Sequence, residues 1–351
     1  MHDYHIAMVP GDGIGQEMLN AVKSVLGAVQ ETSQELEFIY SDYLIGEAAY
    51  KEHGDTLPAV TLEGIKSTGV CMVGAVSAGG MSPLPSSIGR MRRELGLFAD
   101  VRPIKSMPGA WSLKEDIDIL FVRENLEGFL ADRNLYKGSG EFMPSPDTVV
   151  SLRVLTRTNC MRIARYAFSL ARKQNRKKIT AAHKSNVLRM GCGFFLDIVR
   201  GVAQEYPDIA LEEMSVDNVA NTLISCPSHF DVILTTNLFG DILSDEAAAL
   251  VSNLAPSANI GESTALFMPV NHSGHPDDAG KDTANPLMYF LCAAMMLHHL
   301  GEDEEGKRVE SAVLGLLEDG KIRPADMGGI ASKNDVTAEI CRRICAEAVG
   351  R

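Results

Sequence analysis

Asp241 and Asp245 stand four residues apart in the run Thr235 to Asp245, TTNLFGDILSD. On a helix, residues i and i+4 share a face, so both carboxylates reach one point. Hard divalent cations such as Mg²⁺ or Mn²⁺ take such oxygen ligands and complete their shell with water or substrate oxygens. Acids that complement a helix N-terminus would show the same spacing. A third acid, Asp217, follows the strand-like stretch Ile209–Met214.

The cationic groups are arginines. Arg90, Arg92 and Arg93 lie on a short helical stretch, Arg102 follows ten residues after Arg92, and Arg123 closes the apolar run Ile117–Val122. Arginines in such places clamp carboxylates bidentately, or form a solvated basic face. Lys184, in Ala182-His183-Lys184-Ser185-Asn186, comes just after a strand-like run. Near a metal, a lysine of lowered pKa moves protons; alone it reads as a surface residue. The polar run Asn271–Lys281, followed by Asn285, suits a ligand loop. Its histidines and acids do not have the spacing of a closed zinc site. Pro10-Gly11-Asp12-Gly13-Ile14-Gly15 follows a strand and opens a helix. Its glycines are spaced G-x-G-x-G, not the G-x-G-x-x-G of a Rossmann dinucleotide site.

These residues need a frame that alternates strands and helices. His5–Val9, Val70–Val76, Ile117–Val122, Ile179–Ala182 and Phe230–Thr236 read as buried strands. Gln16–Gln30 and Asn285–Leu300 read as helices, and a further helix is predicted from Asp241. Alternation of this kind predicts an α/β fold around a mostly parallel sheet covered on both faces. Leu135–Thr148 reads as an irregular excursion and Pro256–Lys281 as a second loop-rich stretch.

The chain has 351 residues, with 33 basic and 46 acidic, a formal charge of −13. Hydrophobic residues make up 45%. This is globular composition and excludes a collagen, a coiled coil or a disordered chain. The acidic balance argues against a nucleic-acid partner, and no apolar run has the length of a membrane span. Seven scattered cysteines without a C-x-x-C pair read as reduced thiols in a cytoplasmic protein.

The motifs together resemble those of the metal-dependent β-decarboxylating dehydrogenases of isocitrate, 3-isopropylmalate, homoisocitrate, tartrate and D-malate. The resemblance runs from the opening PGDGIG through Thr56-Leu57-Pro58, LFADVRP (97–103), VREN (122–125), HKSNV (183–187), VDN (216–218), TTNLFGDILSD (235–245) and PDDAGKDTANP (276–286) to MGG (327–329). It implies the isopropylmalate dehydrogenase-like fold, distinct from a Rossmann fold. It implies a discontinuous cofactor-side domain, 1–100 plus 250–351, and a substrate, metal and dimerisation domain, 101–249, with an arm near 135–150. By resemblance, Arg92, Arg102 and Arg123 bind the malate part of the substrate. Asp217, Asp241 and Asp245 surround Mg²⁺ or Mn²⁺, and Lys184 is the base for the substrate hydroxyl. Family members bring the residues matching Lys184 and Asp217 to the neighbouring subunit's site, which implies a homodimer. His272 and Asn285 match adenine contacts. Asp277 matches the aspartate of NAD-using members, and Asp278 replaces a usual Ile. Two acids there would repel a 2′-phosphate, so NAD is expected.

Four positions depart from the family pattern. Leu130 stands where a tyrosine is taken to protonate the enol, and leucine has no proton to give. Another donor replaces it, with Tyr136 nearby, or protonation is slow, or the reaction differs. Met268 replaces a glutamate, and Asp100 replaces the Asn of A-N-x-R-P. Aligned on Arg92, bacterial isocitrate enzymes carry Ser-x-Asn where this chain has Ser86, Ser87 and Ile88. Ile88 then points to an apolar or small 3-substituent, as in 3-isopropylmalate or a related alkylmalate. Tartrate, D-malate and (homo)isocitrate remain alternatives, as does a regulatory paralogue without full turnover.

Overall fold

A computed structural model describes residues 2–33, 35–76, 84–129 and 140–349. Leu130 and Tyr136 lie outside them. The first half alternates β1 (His2–Gly11), α1 (Gly15–Thr32), β2 (Leu36–Asp42), α2 (Gly46–His53), α3 (Ala59–Thr68), β3 (Val70–Ala75), α4 (Ser87–Glu94), β4 (Ala99–Lys105) and β5 (Asp118–Glu124). A hairpin follows, β6 (Glu141–Ser145) and β7 (Thr148–Ser151). Then come α5 (Arg157–Lys173), β8 (Lys178–His183), α6 (Arg189–Ala203), β9 (Ala210–Ser215), α7 (Val216–Ser225), β10 (Val232–Thr235) and α8 (Asn237–Ala249). The chain closes with β11 (Pro256–Ile260), β12 (Ala265–Pro269), α9 (Leu287–Leu300), α10 (Asp303–Asp319) and α11 (Lys333–Val349). No helix among the described residues is long and apolar enough to cross a membrane.

Ten strands form one sheet in the order β2-β1-β3-β12-β11-β4-β5-β10-β8-β9. Both flanks are parallel, as predicted. The centre is not: β12–β11, β11–β4 and β4–β5 pair antiparallel. The sheet runs unbroken from residues of the stretch 1–100 and 250–351 into those of 101–249, and β4 straddles the boundary.

Side chains alternate faces along a strand, and the burial follows that period. Val101, Val122, Ala258 and Phe267 point to one face, where Val25 of α1, Phe168 of α5, Phe195 of α6, Phe290 of α9, Leu316 of α10 and Ile340 of α11 complete a continuous apolar core. The opposite face is split. Near β5 and β10, Ile104, Phe121 and Ile233 pack on Val219 and Leu223 of α7 and Leu243 of α8. Near β1, β3 and β12, Val9, Val73, Leu266 and Met268 pack on Ile65 of α3 and Ile88 and Met91 of α4. Between these two clusters the face is polar.

Two local expectations are corrected. Pro256–Lys281 holds two buried central strands, because the small polar residues that read as loop formers, Ser257 and Asn259, are paired inside the sheet. The helix expected from Asp241 begins at Asn237, after extended Thr236. Gly240 therefore sits inside the first turns, not in a breaker, for a reason visible at the site.

Candidate active site

The polar strip is built by strand register. Asp100 on β4 lies directly opposite Arg123 on β5 and Asn259 on β11. Arg102 and Ser257 are each two residues along their strands and so share that face. Arg92 reaches the strip from α4, its Nε donating to Asn259 Oδ1 at 2.9 Å.

Asp100 has no solvent exposure. Its Oδ2 lies 2.9 Å from Arg102 Nη2, 3.5 Å from Arg123 Nη1 and 3.7 Å from Arg92 Nη2. Its Oδ1 accepts from Ser257 Oγ at 2.7 Å. Burial by itself would raise the Asp100 pKa; the guanidiniums of Arg102, Arg92 and Arg123 overcome it and hold the carboxyl well below the usual range. The same contacts keep buried Arg102 charged.

Helix α8 covers the strip. Asn237 Oδ1 accepts from Arg123 Nε at 3.1 Å and Nη2 at 2.7 Å. Asp241 ion-pairs with Arg123, and Asp245 with Arg102 Nη1 at 2.7 Å. Ser244 Oγ accepts from the same Nη1 at 2.8 Å. The two aspartates are the fifth and ninth residues of α8, beyond the turn where the helix dipole acts. Their side chains remain 46% and 64% exposed, so carboxylate oxygen is accessible beside the arginines. Among the described residues no three His, Cys, Asp or Glu side chains of one chain cluster as a metal site.

Lys184 and Asp217 form an ion pair with each other, at the ends of β8 and β9. The Lys184 hydrogen bond holds the Asp217 carboxyl below its ordinary value. A short relay links this pair to α8. Cys192 Sγ accepts from the Lys184 amide and from Arg153 Nη1, each at 3.3 Å, and Arg153 Nη2 donates to Thr236 Oγ1 at 3.2 Å. The structure thus brings Arg92, Arg102, Arg123, Asp241 and Asp245 into one cluster and sets Lys184 with Asp217 in another.

Ile88 lies elsewhere, 6% exposed and packed with Met91 and Met268 in the apolar cluster. On the expected cofactor side, the opening glycine loop closes against 272–274. Ile14 N–H donates to Gly274 O at 2.9 Å, and Val76 N–H to His272 O at 2.8 Å. Gly13, at φ +55°, approaches so near that a Cβ would lie 1.8 Å from Gly274 O. His272 lines a cavity of about 270 Å³ with Val76, Asp245, Asn271 and Ser273. Burial, with Arg92 and Arg102 nearby, keeps its imidazole neutral more readily than in water. Asp277 is exposed on a short 3₁₀ turn, and Asp278 lies 3.7 Å from Lys281. Asn285 donates to Asp326 at 3.1 Å and accepts from the Leu287 amide at the start of α9.

Sequence reading missed Asn237, Ser244, Ser257 and Asn259 as site residues. The signal for Asn237 and Ser244 was their place in the same motif as the two aspartates. Ser257 and Asn259 had none, since only pairing places them beside Asp100.

A family model described as isocitrate/isopropylmalate dehydrogenase matches residues 5–344. The protein is therefore an oxidoreductase of the dehydrogenase kind. It is 42% identical over 346 residues to a 3-isopropylmalate dehydrogenase of Methanothermobacter thermautotrophicus, covering 98% of this chain and 99% of that one. It is 41% identical over 342 residues to an isocitrate/homoisocitrate dehydrogenase of Thermus thermophilus, covering 96% and 97%. A crystal structure of isocitrate dehydrogenase from Methylococcus capsulatus superposes with a TM-score of 0.89 at 36% identity, covering 97% of this chain and 99% of that chain. The chain belongs to the isocitrate/isopropylmalate dehydrogenase family.

Two predictions come from the packing and charge here. A Cβ on Gly240 would lie 2.6 Å from Arg123 Cγ. Gly240→Ala gains about 1 kcal/mol of helix propensity but overpacks a side chain that is 1% exposed, which costs about 1–3 kcal/mol. Urea unfolding should show net destabilisation. The second concerns Glu124, whose carboxyl burial pushes up to about 7 against the amides of Leu126 and Glu127 that favour its charge. The folded pKa lies above the unfolded one, so the folded state keeps a proton that the unfolded state has lost. The contribution of this group to stability is fully present below the ordinary 4.5 and is lost as pH rises to about 7, on the order of 3 kcal/mol. Unfolding free energies of Glu124→Gln should descend less over that window than those of the natural chain.

Proposed function

We propose that the protein is an NAD-dependent, divalent-metal-dependent decarboxylating dehydrogenase of a 3-substituted (R)-malate, best 3-isopropylmalate or a related alkylmalate. The observation that carries this reading is the meeting of three arginines with two carboxylates one helical turn apart on a single polar strip. Relatives named for 3-isopropylmalate support the substrate class, and the lack of an Asn in the stretch before Arg92 agrees with it.

Arg92, Arg102 and Arg123 would hold the substrate carboxylates and so fix the orientation of the carbon between them. Asp241 and Asp245 fit two sites of an oxygen-ligated Mg²⁺ or Mn²⁺, and Asp217 of a second copy would supply a third. Such a cation would supply the polarisation of the substrate oxygen and NAD the hydride acceptor for oxidation, with the β-carboxylate leaving as CO₂. Lys184 of the second copy would take the hydroxyl proton. His272, Asp277 and Asn285 would line the dinucleotide, Asp277 accepting from ribose hydroxyls.

The homodimer in this proposal has structural support. Val187 and Met190 beside Lys184, Ile224 of α7 and Ile242 of α8 are large apolar side chains on the surface. Phe142, Met143 and Val149 on the β6–β7 hairpin, a two-stranded sheet among the described residues, are exposed as well. We place the division between the cofactor side and the metal side at the polar seam of the sheet. A cytoplasmic setting agrees with seven free cysteines, four of them buried.

The test is purified protein with NAD and Mn²⁺, given 3-isopropylmalate, isocitrate, homoisocitrate, D-malate or tartrate in turn, with NADH and CO₂ both followed. NADH with equimolar CO₂ from an alkylmalate is expected, and a chelator should abolish it. No NADH from any of them would leave a non-catalytic paralogue. Shared sites predict complementation. Lys184→Met and Arg102→Met proteins, each at least about 100-fold impaired, should recover activity when unfolded and refolded together, since one mixed site keeps both residues.

A further inference from the structure

We propose that Asp100 sets the charge that the arginine cluster presents, and so selects a substrate with two carboxylates over one with three. The inference rests on the reading of this strip as the substrate site.

The geometry assigns Asp100 the place of an internal carboxylate ligand. Arginine grips a carboxylate through its Nε and Nη2 edge in a bidentate fork. In Arg102 that edge is already filled: Nε donates to Asp100 Oδ2 at 3.0 Å, and Nη2 lies 2.9 Å from the same oxygen. The same oxygen also lies within reach of Arg92 and Arg123. Asp100 is therefore an anion shared by all three guanidiniums from below, with Ser257 holding its other oxygen. Asp241 and Asp245 also pair with Arg123 and Arg102, and the divalent cation they would hold balances their two charges. The three guanidiniums less Asp100 then leave two positive charges, matching the two carboxylates of an alkylmalate.

Burial makes this count effective. Asp100 is wholly enclosed, so neither water nor salt screens it from a ligand on the outer side of the guanidiniums. At an effective dielectric of about 20 and a separation near 6 Å, the repulsion of one further carboxylate is on the order of 100-fold in affinity. The pairing that would neutralise Asp100 by protonation is closed, because three cations favour its charged form. An asparagine fills the same space, with its Oδ1 accepting from the guanidiniums and its Nδ2 donating to Ser257 Oγ, but it carries no charge.

The experiment compares the natural chain with Asp100→Asn and Asp100→Glu, using 3-isopropylmalate and isocitrate with NAD and Mn²⁺. Asp100→Asn should raise the isocitrate-to-isopropylmalate ratio of kcat/KM by tenfold or more, through a lower KM for isocitrate. Asp100→Glu, which keeps the charge, should hold the ratio near the natural one even if both rates fall. A purely structural role would slow both substrates alike, and a ratio unchanged within about threefold in Asp100→Asn overturns the proposal. Binding of tricarballylate and succinate, measured by calorimetry without turnover, separates this from the functional reading. If the natural chain oxidises nothing, Asp100→Asn must still gain affinity for the tricarboxylate over the dicarboxylate. If Asp100→Asn does not fold, the natural chain decides: tricarballylate bound more than about tenfold tighter than succinate overturns the proposal.

Discussion

One enclosed carboxylate, Asp100, is the charge around which the site is organised. A carboxylate without water is tolerated only when paired and hydrogen-bonded, and three guanidiniums brought together need an anion as much as it needs them. The partners come from α4, β4 and β5, and their supports from β11 and α8. All five elements must therefore dock in one register before the charges are satisfied. A slip of one residue in β4 would carry Asp100 to the opposite face, among Val101 and its apolar neighbours.

The antiparallel centre of the sheet makes that meeting possible. Asp100 is the second residue of β4, and Arg123 the sixth of the seven in β5. Antiparallel pairing sets the start of one strand beside the end of the next, and β11 adds Asn259 on the other side. The parallel flanks end their strands on the same side, where β10 leads into α8 and β8 into Lys184. This follows the general rule that open α/β sheets gather ligand groups at carboxyl ends of strands. Behind the site, six helices pack one face into a continuous core, while the front divides into two apolar clusters. A rigid back and a parted front leave room for charge only along the seam.

Much of the site's chemistry was legible in the linear chain. The four-residue spacing of Asp241 and Asp245 survives in α8, and the arginines of LFADVRP and VREN meet as their motifs imply. Long strands were found by their apolar runs because burial on both faces demands such runs. Other features could not be read this way. Ser257 and Asn259 have the composition of a loop, yet lie in a central strand, because a buried polar side chain is stable when its partner is supplied by another strand. The family resemblance gives Ile88, four residues before Arg92 on the same helix, a place beside the 3-substituent of the substrate. The helix instead packs Ile88 into the core and sends Arg92 across to Asn259.

By itself the sequence determined what local rules govern: the alternation of strands and helices, the glycine turn after β1, the shared helical face of the two aspartates, and the absence of a Rossmann spacing. Each of these depends on neighbours within a few residues and on fixed periods of 2 and 3.6. Only the tertiary structure decided that Asp100 is a shared counter-ion, that Gly240 exists to let Arg123 pass, and that the front of the sheet is split. Those facts depend on pairs more than a hundred residues apart, such as Asn259 with Asp100 and Asn237 with Arg123. Charge is satisfied in space, and no local spacing records which distant group will satisfy it.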